Sequence, residues 1–465
     1  MSPDGEWLVY RVNDVDNDEL YAERLAGGPR VLLSPPADSQ IPIFRISPDS
    51  RHVVFTTGNL WSVPIEGGTP TRLDDGSVFG FSFTPDSEFV AYKSDEQYRV
   101  SAIDGSVTRD LDLTDSSICG CWTPPITSDG TIAIAYASAA AGEPAQLMAL
   151  PLDGSPRRTL APPAPSGRRG SRFQLSSDDR HVVYHIAHDR KGERQLYSAR
   201  LDGGGAVRLN RSLPENGDVR DFAITPDGIH VVYRADQRRD NVFELWAVPT
   251  GGGSSVRLNR PLPTGGDVTS VLPGVVLLRQ SFAISPDSST VVYRADERTN
   301  NVRELFAVGI DGRGRVRLTK NLPRGGDVNG FQISPDGSTV VFRADQRTNN
   351  IKELFAVPLT DGPLTRLSSD LVAGGDVRPV VTAGPEFLIS PDSQHVAYIA
   401  DQDVDQRREA FLVPIDGGDA VRLNGEMHPR ADARGPLWFT PDSGWVGFES
   451  DGDDNIPRNS RVRVG

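Results

Sequence analysis

Apolar and polar positions along this chain change over in short runs of strand length. Between Asp218 and Asn259, residues 221–225 are half apolar, and His230-Val231-Val232-Tyr233-Arg234 is β-branched and aromatic. Glu244-Leu245-Trp246-Ala247-Val248 alternates, and Val256-Arg257-Leu258-Asn259 closes the series. Runs of this kind predict strands. Turn chemistry separates them. Pro226-Asp227-Gly228 fixes one φ and frees another, residues 236–241 are polar, and Gly251-Gly252-Gly253 tolerates positive φ. No apolar period of 3.6 residues persists, so the stretch predicts four short strands and no helix.

The same pattern recurs from end to end. Ser/Thr-Pro-Asp stands at Ser2, Ser47, Thr84, Thr225, Ser285, Ser334, Ser390 and Thr440, with degenerate forms at Thr127 and Ser176. Units start near residues 2, 41, 78, 116, 170, 218, 267, 327, 376 and 430. A fixed period of this size denotes a solenoid, a propeller or an array. A four-stranded meander without a helix is a propeller blade. The expected fold is therefore all-β: one domain over 1–465, a single large β-propeller of about ten four-stranded antiparallel blades. The first unit begins at its turn and lacks an inner strand, and the last lacks an outer one. The two ends are expected to meet at ring closure, each protecting the other's edge.

Ser-Pro-Asp-Gly, Val-Val-Tyr-x-Ala-Asp, Glu-Leu-Phe-Ala-Val-Pro and Asp-Gly-Gly-x-x-x-Arg-Leu together resemble the TolB-like (WD-repeat-like) propeller repeat, over essentially the whole chain. The resemblance implies the fold and a bacterial, periplasmic or extracellular setting. It implies no activity, because this fold hosts many. Related propellers usually have fewer blades. Some precede a serine-peptidase domain, but no Gly-x-Ser-x-Gly elbow is present here, and the α/β domain that precedes the propeller in TolB is missing.

Composition narrows the partners. A net charge of −14 argues against nucleic acid, whose binding rests on basic groups that neutralise phosphates. Hydrophobic residues make up 37%, and 46 Gly with 36 Pro suit a turn-rich β protein. No stretch is long and apolar enough to span a bilayer, and no signal peptide begins at Met1. Cys119 and Cys121 sit two apart on an expected inner strand, which suits two buried thiols better than a mutual disulfide.

Candidate chemistry falls on the face that carries the longer loops, since binding residues gather on variable loops held by a rigid scaffold. Asp218, Asp267, Asp327 and Asp376 open their units at the expected channel mouth. They form either a carboxylate ring for a cation or polar ligand, or caps that bond their own turns. Acidic middle loops supply Asp14, Asp16 and Asp18, then Asp401, Asp403 and Asp405, hard oxygen ligands of the kind calcium takes, though without the full calcium-loop spacing. A third acidic loop runs over 451–455, while units five to eight carry Arg190, Arg194, Arg238, Arg239, Arg298 and Arg347. Two units are longer. One inserts Val275, Val276, Leu277 and Leu278 within 271–278, the other 379–385, and such apolar sequence either plugs its own blade or meets a partner.

His52, His181, His230 and His395 share one slot and belong to the repeat, whereas His185, His188 and His428 do not recur. Without a placed carboxylate they are weak metal ligands. The reading that follows is a non-catalytic binding or scaffold propeller presenting its long-loop face to a protein or glycan partner, with no catalytic residue and calcium as the one cofactor in view. The alternative is a carbohydrate-active lyase or hydrolase with a polar site at the channel mouth.

Overall fold

The computed structural model describes residues 1–13, 18–34, 41–95, 97–114, 124–137, 146–161, 172–187, 193–269, 281–320, 322–378, 387–425, 432–451 and 457–464. Strands fall into ten separate antiparallel sheets, each with its strands in chain order, and the described residues contain no helix. Seven sheets have four strands; the first, fourth and tenth have three. This is the β-propeller class that the repeat predicts, and the sheets are its blades, numbered here in chain order. Contacts divide the chain into two compact units, Met1–Arg211 with Pro249–Gly253, and Ser212–Val248 with Ser254–Gly465. Each unit is a succession of blades.

Blade six shows how the pattern becomes structure. Its strands are Val219–Ile224, His230–Ala235, Glu244–Pro249 and Val256–Arg257, within two residues of the sequence reading. Phe222 pairs with Tyr233 and Ala223 with Val232. The core lies between blades: Val232, Leu245 and Leu258 of blade six pack against Phe282, Tyr293 and Phe306 of blade seven. Phe222, Phe282, Phe331 and Phe387, each three residues before its Ser/Thr-Pro-Asp turn, are all buried, as is Phe439 immediately before Thr440.

The inner strands of blades six and eight carry a β-bulge, between Val219 and Asp221 and between Val328 and Gly330. In blades seven and nine the apolar inserts stand at that same place. Val268 bridges Ala295 before the insert and Phe282–Ile284 pairs after it; Val377 bridges Ala400 before the other and Phe387–Ile389 follows. Among the described residues, pairing with the second strand is thus present on both sides of each insert. Val275, Val276, Leu277 and Leu278 themselves, residues 379–385, and Cys119 with Cys121 lie outside the described residues.

Ser/Thr-Pro-Asp is a closed polar box. In blade eight the Ser334 hydroxyl donates to Asp336 Oδ1 (2.5 Å), the Ser338 amide donates to the same oxygen (2.9 Å), and the Thr339 amide donates to Ser334 Oγ (3.0 Å). Asp336 is held below the usual carboxylate range: burial works the other way, but the Ser334 hydroxyl and Ser338 amide prevail. Such a turn fixes the hairpin with local bonds alone.

The residue after Asp lies in the left-handed region, and where it is Ser it reaches the neighbouring blade. Ser50, Ser87, Ser288, Ser393 and Ser443 have φ between 59° and 65°. Their hydroxyl oxygens accept the backbone amides of Asp4, Asp49, Asp227, Asp336 and Asp392 at 3.0 Å. Strain in one turn is thus coupled to a clasp between blades.

Candidate binding face

The long-loop face of blades six to nine is built on two buried carboxylates per blade. The first is the Asp of Ala-Asp: Asp236, Asp296, Asp345 and Asp401 are at most 4% exposed. Each bonds the lead-in of its own inner strand. The Asp218 and Asp376 amides donate to Oδ1 of Asp236 and Asp401 at 2.5 Å, and the Asp267 and Asp327 amides make the same bond to Asp296 and Asp345. The other oxygen receives the amide of the residue that turns the middle loop, Asn241, Asn301 and Asn350 at 3.0 Å and Gln406 at 3.3 Å. Those four residues have φ between 59° and 66°.

Glycine is required where the two loops meet. A Cβ on Gly266, Gly326 or Gly375 would stand 2.9, 2.9 or 2.5 Å from the carbonyl oxygen of Asp296, Asp345 or Asp401. The Gly-Gly-Asp lead-in and the middle loop are therefore interlocked, and the loop tips have a set shape.

The candidate channel-mouth aspartates take part in this lock. Asp267, Asp327 and Asp376 accept, on Oδ1, the backbone amides of Phe243, Arg303 and Lys352 in the preceding blade, at 2.8, 2.7 and 2.6 Å. They clasp the blade before them rather than capping their own turn. Burial and the neighbouring Asp296 push Asp267 above its ordinary range. Asp218 pairs with Arg220 Nε at 3.0 Å.

The second carboxylate is the Glu that opens the third strand, and sequence reasoning missed it. Glu244, Glu304, Glu353 and Glu409 are at most 4% exposed. Each is gripped by the Arg of Val/Thr-Arg-Leu: Arg257, Arg317, Arg366 and Arg422 stand 2.8, 3.0, 3.2 and 3.1 Å away. A second arginine comes from the middle loop: Arg238, Arg298, Arg347 and Arg407 at 3.5, 3.4, 3.1 and 2.5 Å. The loop arginines read from the sequence as a charged sector are, at Arg238, Arg298 and Arg347, partners of these buried glutamates. The signal was available in the recurrence of Glu with Arg thirteen residues later.

Among the acidic candidates, Asp18 is buried, accepts the Ile41 amide at 2.9 Å and lies 3.7 Å from Arg11. Asp401 receives Arg378 through Nε at 3.0 Å and Nη2 at 2.6 Å. Burial alone would raise Asp401, but Arg378 and the Asp376 amide hold it below the usual range. Asp403 and Asp405 are exposed, and Asp403 lies 3.6 Å from Arg422. Asp14, Asp16, residues 452–455, Arg190, His188 and His428 lie outside the described residues. No group of three or more His, Cys, Asp or Glu among the described residues is placed to hold a metal ion. His185 is buried, and burial, with Arg194 and Arg172 nearby, pushes its pKa down to about 3, so its ring stays neutral.

The tips of the middle loops form an exposed row on this face: Arg238-Arg239, Arg298-Thr299-Asn300, Arg347-Thr348-Asn349 and Asp403-Val404-Asp405. They are short and polar, rich in donors, and carried on a locked base.

No family model and no curated protein matches this sequence. Solved structures do match in fold. A eukaryotic initiation factor aligns over 90% of this chain and 95% of its own, at 11% identity and TM-score 0.54. Dipeptidyl peptidase 4 of Porphyromonas gingivalis aligns over 97% of this chain at 13% identity and TM-score 0.54, and the chain spans 64% of that protein's length. TolB from Acinetobacter baumannii aligns over 67% of this chain and 78% of its own, at 16% identity and TM-score 0.29. At these identities the two alignments with TM-score 0.54 show the fold alone.

Proposed function

We propose that this chain is a non-catalytic binding scaffold that presents its long-loop face to a protein or glycan partner, and that the chemistry of the tips favours a glycan. One observation carries the reading. From blade to blade, the buried carboxylates that recur on this face, and the arginines that grip them, are consumed in holding the loops, while Arg239, Thr299, Asn300, Thr348 and Asn349 stay exposed at the tips. A catalytic pocket needs converging groups with perturbed acidity; a binding face needs a rigid display. Arg, Thr and Asn side chains offer donors and acceptors that suit sugar hydroxyls, whereas the cores of protein interfaces are apolar and aromatic. The tips contribute a single exposed apolar side chain, Val404.

The test is a glycan array, followed by affinity measurement on the best hit with the wild type and with Arg239→Glu/Thr299→Asp/Thr348→Asp. These tip residues are exposed, and Arg239, Thr299 and Thr348 hold none of the buried carboxylates. Binding should weaken at least tenfold while the melting temperature stays unchanged. Undiminished affinity in the variant would remove the tips from the binding face. Release of reducing ends or of unsaturated sugar from the bound glycan would replace the scaffold reading with the lyase or hydrolase alternative.

A further inference from the structure

On the face of the Ser/Thr-Pro-Asp turns, neighbouring blades are closed by a knob and a glycine. The knob is the outer-strand residue two before the closing Leu; the glycine stands in the next blade's turn between third and fourth strands. A Cβ placed on Gly67, Gly105, Gly252, Gly312 or Gly417 would meet a methyl of Val31, Thr71, Val207, Val256 or Thr365 at 2.5, 2.8, 3.3, 2.9 or 2.7 Å. The fit leaves no room for a side chain, and the glycines also have φ between 75° and 98°. The knob is thus β-branched in blades one, two, five, six and eight.

Blades three and four break the rule. Alignment of their outer strands, Thr108–Thr114 and Arg158–Ala161, through the pairs Val100 with Arg109 and Ala149 with Arg158 puts arginine in the knob position. The glycines that should receive these knobs are Gly154 and Gly203, and a Cβ added to either would meet nothing within 4 Å. Between blades three and four the consequence is an open crevice of about 550 Å³, a size that suits a small molecule. A second hollow of about 350 Å³ shares its Pro151, Ser155 and Pro156 wall.

The crevice has an apolar floor and a rim of both charges. Val100 and Leu152 are buried, and Phe89 and Ile132 half-buried. Arg109 lies over the Phe89 ring, 5.7 Å from its centroid, with Nη1 3.5 Å from the Leu152 carbonyl oxygen. Arg158 is exposed and carries no ion pair among the described residues. Opposite in charge, Asp129 is held below the usual carboxylate range by the Thr127 hydroxyl and by Thr131, and those bonds all go to Oδ1, leaving Oδ2 open. Asp86 and Asp153 complete the rim.

We infer that this crevice binds a short apolar peptide with free termini. An apolar body covers the floor, its carboxylate reaches the arginines as a charge-assisted bond, and its ammonium faces the aspartates. A purely anionic ligand would meet three carboxylates, and a purely cationic one two arginines, so a zwitterion is the charge type that the rim complements. The site is independent of the long-loop face, so its fate and that of the glycan reading are separate.

Isothermal titration calorimetry with the dipeptide Phe-Leu tests the inference on the full chain. Saturable binding is expected, weakened at least fivefold by N-acetylation and, separately, by C-terminal amidation. Arg109→Val restores the knob that five other blades carry, so it should fold, close the crevice and weaken Phe-Leu at least tenfold. Arg158→Val, on an exposed side chain, should weaken it severalfold with an unchanged melting temperature. Absence of saturable binding at millimolar peptide overturns the inference, as does an affinity that ignores both capping groups or both variants.

Discussion

Phe331 and Asp345 sit in the same blade and differ in how visible their roles are from the sequence. Phe331 stands three residues before Ser-Pro-Asp, as Phe222, Phe282 and Phe387 stand before their Ser/Thr-Pro-Asp turns, and that spacing places all four in the core. Truncating Phe331 to Ala removes it from the cluster that joins Val292 and Leu305 to Val340 and Phe355, and should cost roughly 3–5 kcal/mol. Chemical denaturation measures it, and a loss under about 1 kcal/mol would contradict the packing. Asp345 carries no such mark, because a carboxylate after Val-Val-Phe-Arg-Ala looks like the first residue of a solvated loop. It is in fact 1% exposed and receives the Asp327 amide, the Asn350 amide and Lys352 Nζ, the last two at 3.0 and 3.1 Å. Local pattern reveals burial by periodicity, but it does not reveal which backbone amides a polar side chain will meet. Two of the partners lie five and seven residues further along its own loop, and the third, the Asp327 amide, stands in another loop.

At the scale of an element, the Ser/Thr-Pro-Asp turn is legible as a turn, and its second task is not. Pro and Asp announce the reversal. Ser393 next to them has φ of 63°, and its Oγ accepts the Asp336 amide of the neighbouring blade at 3.0 Å. At the equivalent place Gly337 has φ of 75° and no hydroxyl to offer. The left-handed region costs an ordinary residue roughly 1–2 kcal/mol, and a net hydrogen bond contributes about 1 kcal/mol. Two substitutions separate these terms. Ser393→Ala keeps the strain and loses the bond, so it should destabilise by about 1 kcal/mol. Ser393→Gly loses the bond but relieves the strain, so it should lie within about 0.5 kcal/mol of wild type. In urea unfolding, Ser393→Ala equal to wild type would show that the clasp contributes nothing, and Ser393→Gly no more stable than Ser393→Ala would show that the turn holds no strain to relieve. The same limit of legibility applies to Arg109 and Arg158. Each is one arginine among many until the strand register sets it beside Val31 and Val256, and only then does a polar residue in a knob position become a signal.

For the whole molecule, the recurrence of one turn makes acid stability a collective property. Eight turn aspartates, Asp49, Asp129, Asp178, Asp227, Asp287, Asp336, Asp392 and Asp442, are held below the ordinary carboxylate range. At Asp129, Asp287 and Asp442 the hydroxyl of the preceding Ser or Thr is the leading cause. At the other five, burial pulls the opposite way and is outweighed by that hydroxyl and the turn amide. A carboxyl whose pKa is lower folded than unfolded binds fewer protons in the folded state, so it stabilises the fold above the unfolded value, near 3.9, and the benefit disappears as pH falls through the folded value. Asp267 and Glu304 are raised, chiefly by burial, and act in the reverse sense, but they are two against eight. Discharging a chain of net charge −14 also relieves repulsion on the way down, which opposes the loss. The turns should prevail because their effects share one sign and one window. The melting temperature is therefore expected to hold from pH 7 to about 4.5 and to fall below about 4, with protons taken up on unfolding. Asp227→Asn should flatten the acid limb slightly, since it removes one of the eight. A melting temperature that stays level or rises between pH 5 and pH 3 would mean that relief of repulsion dominates and that the polar boxes are not what holds the hairpins closed.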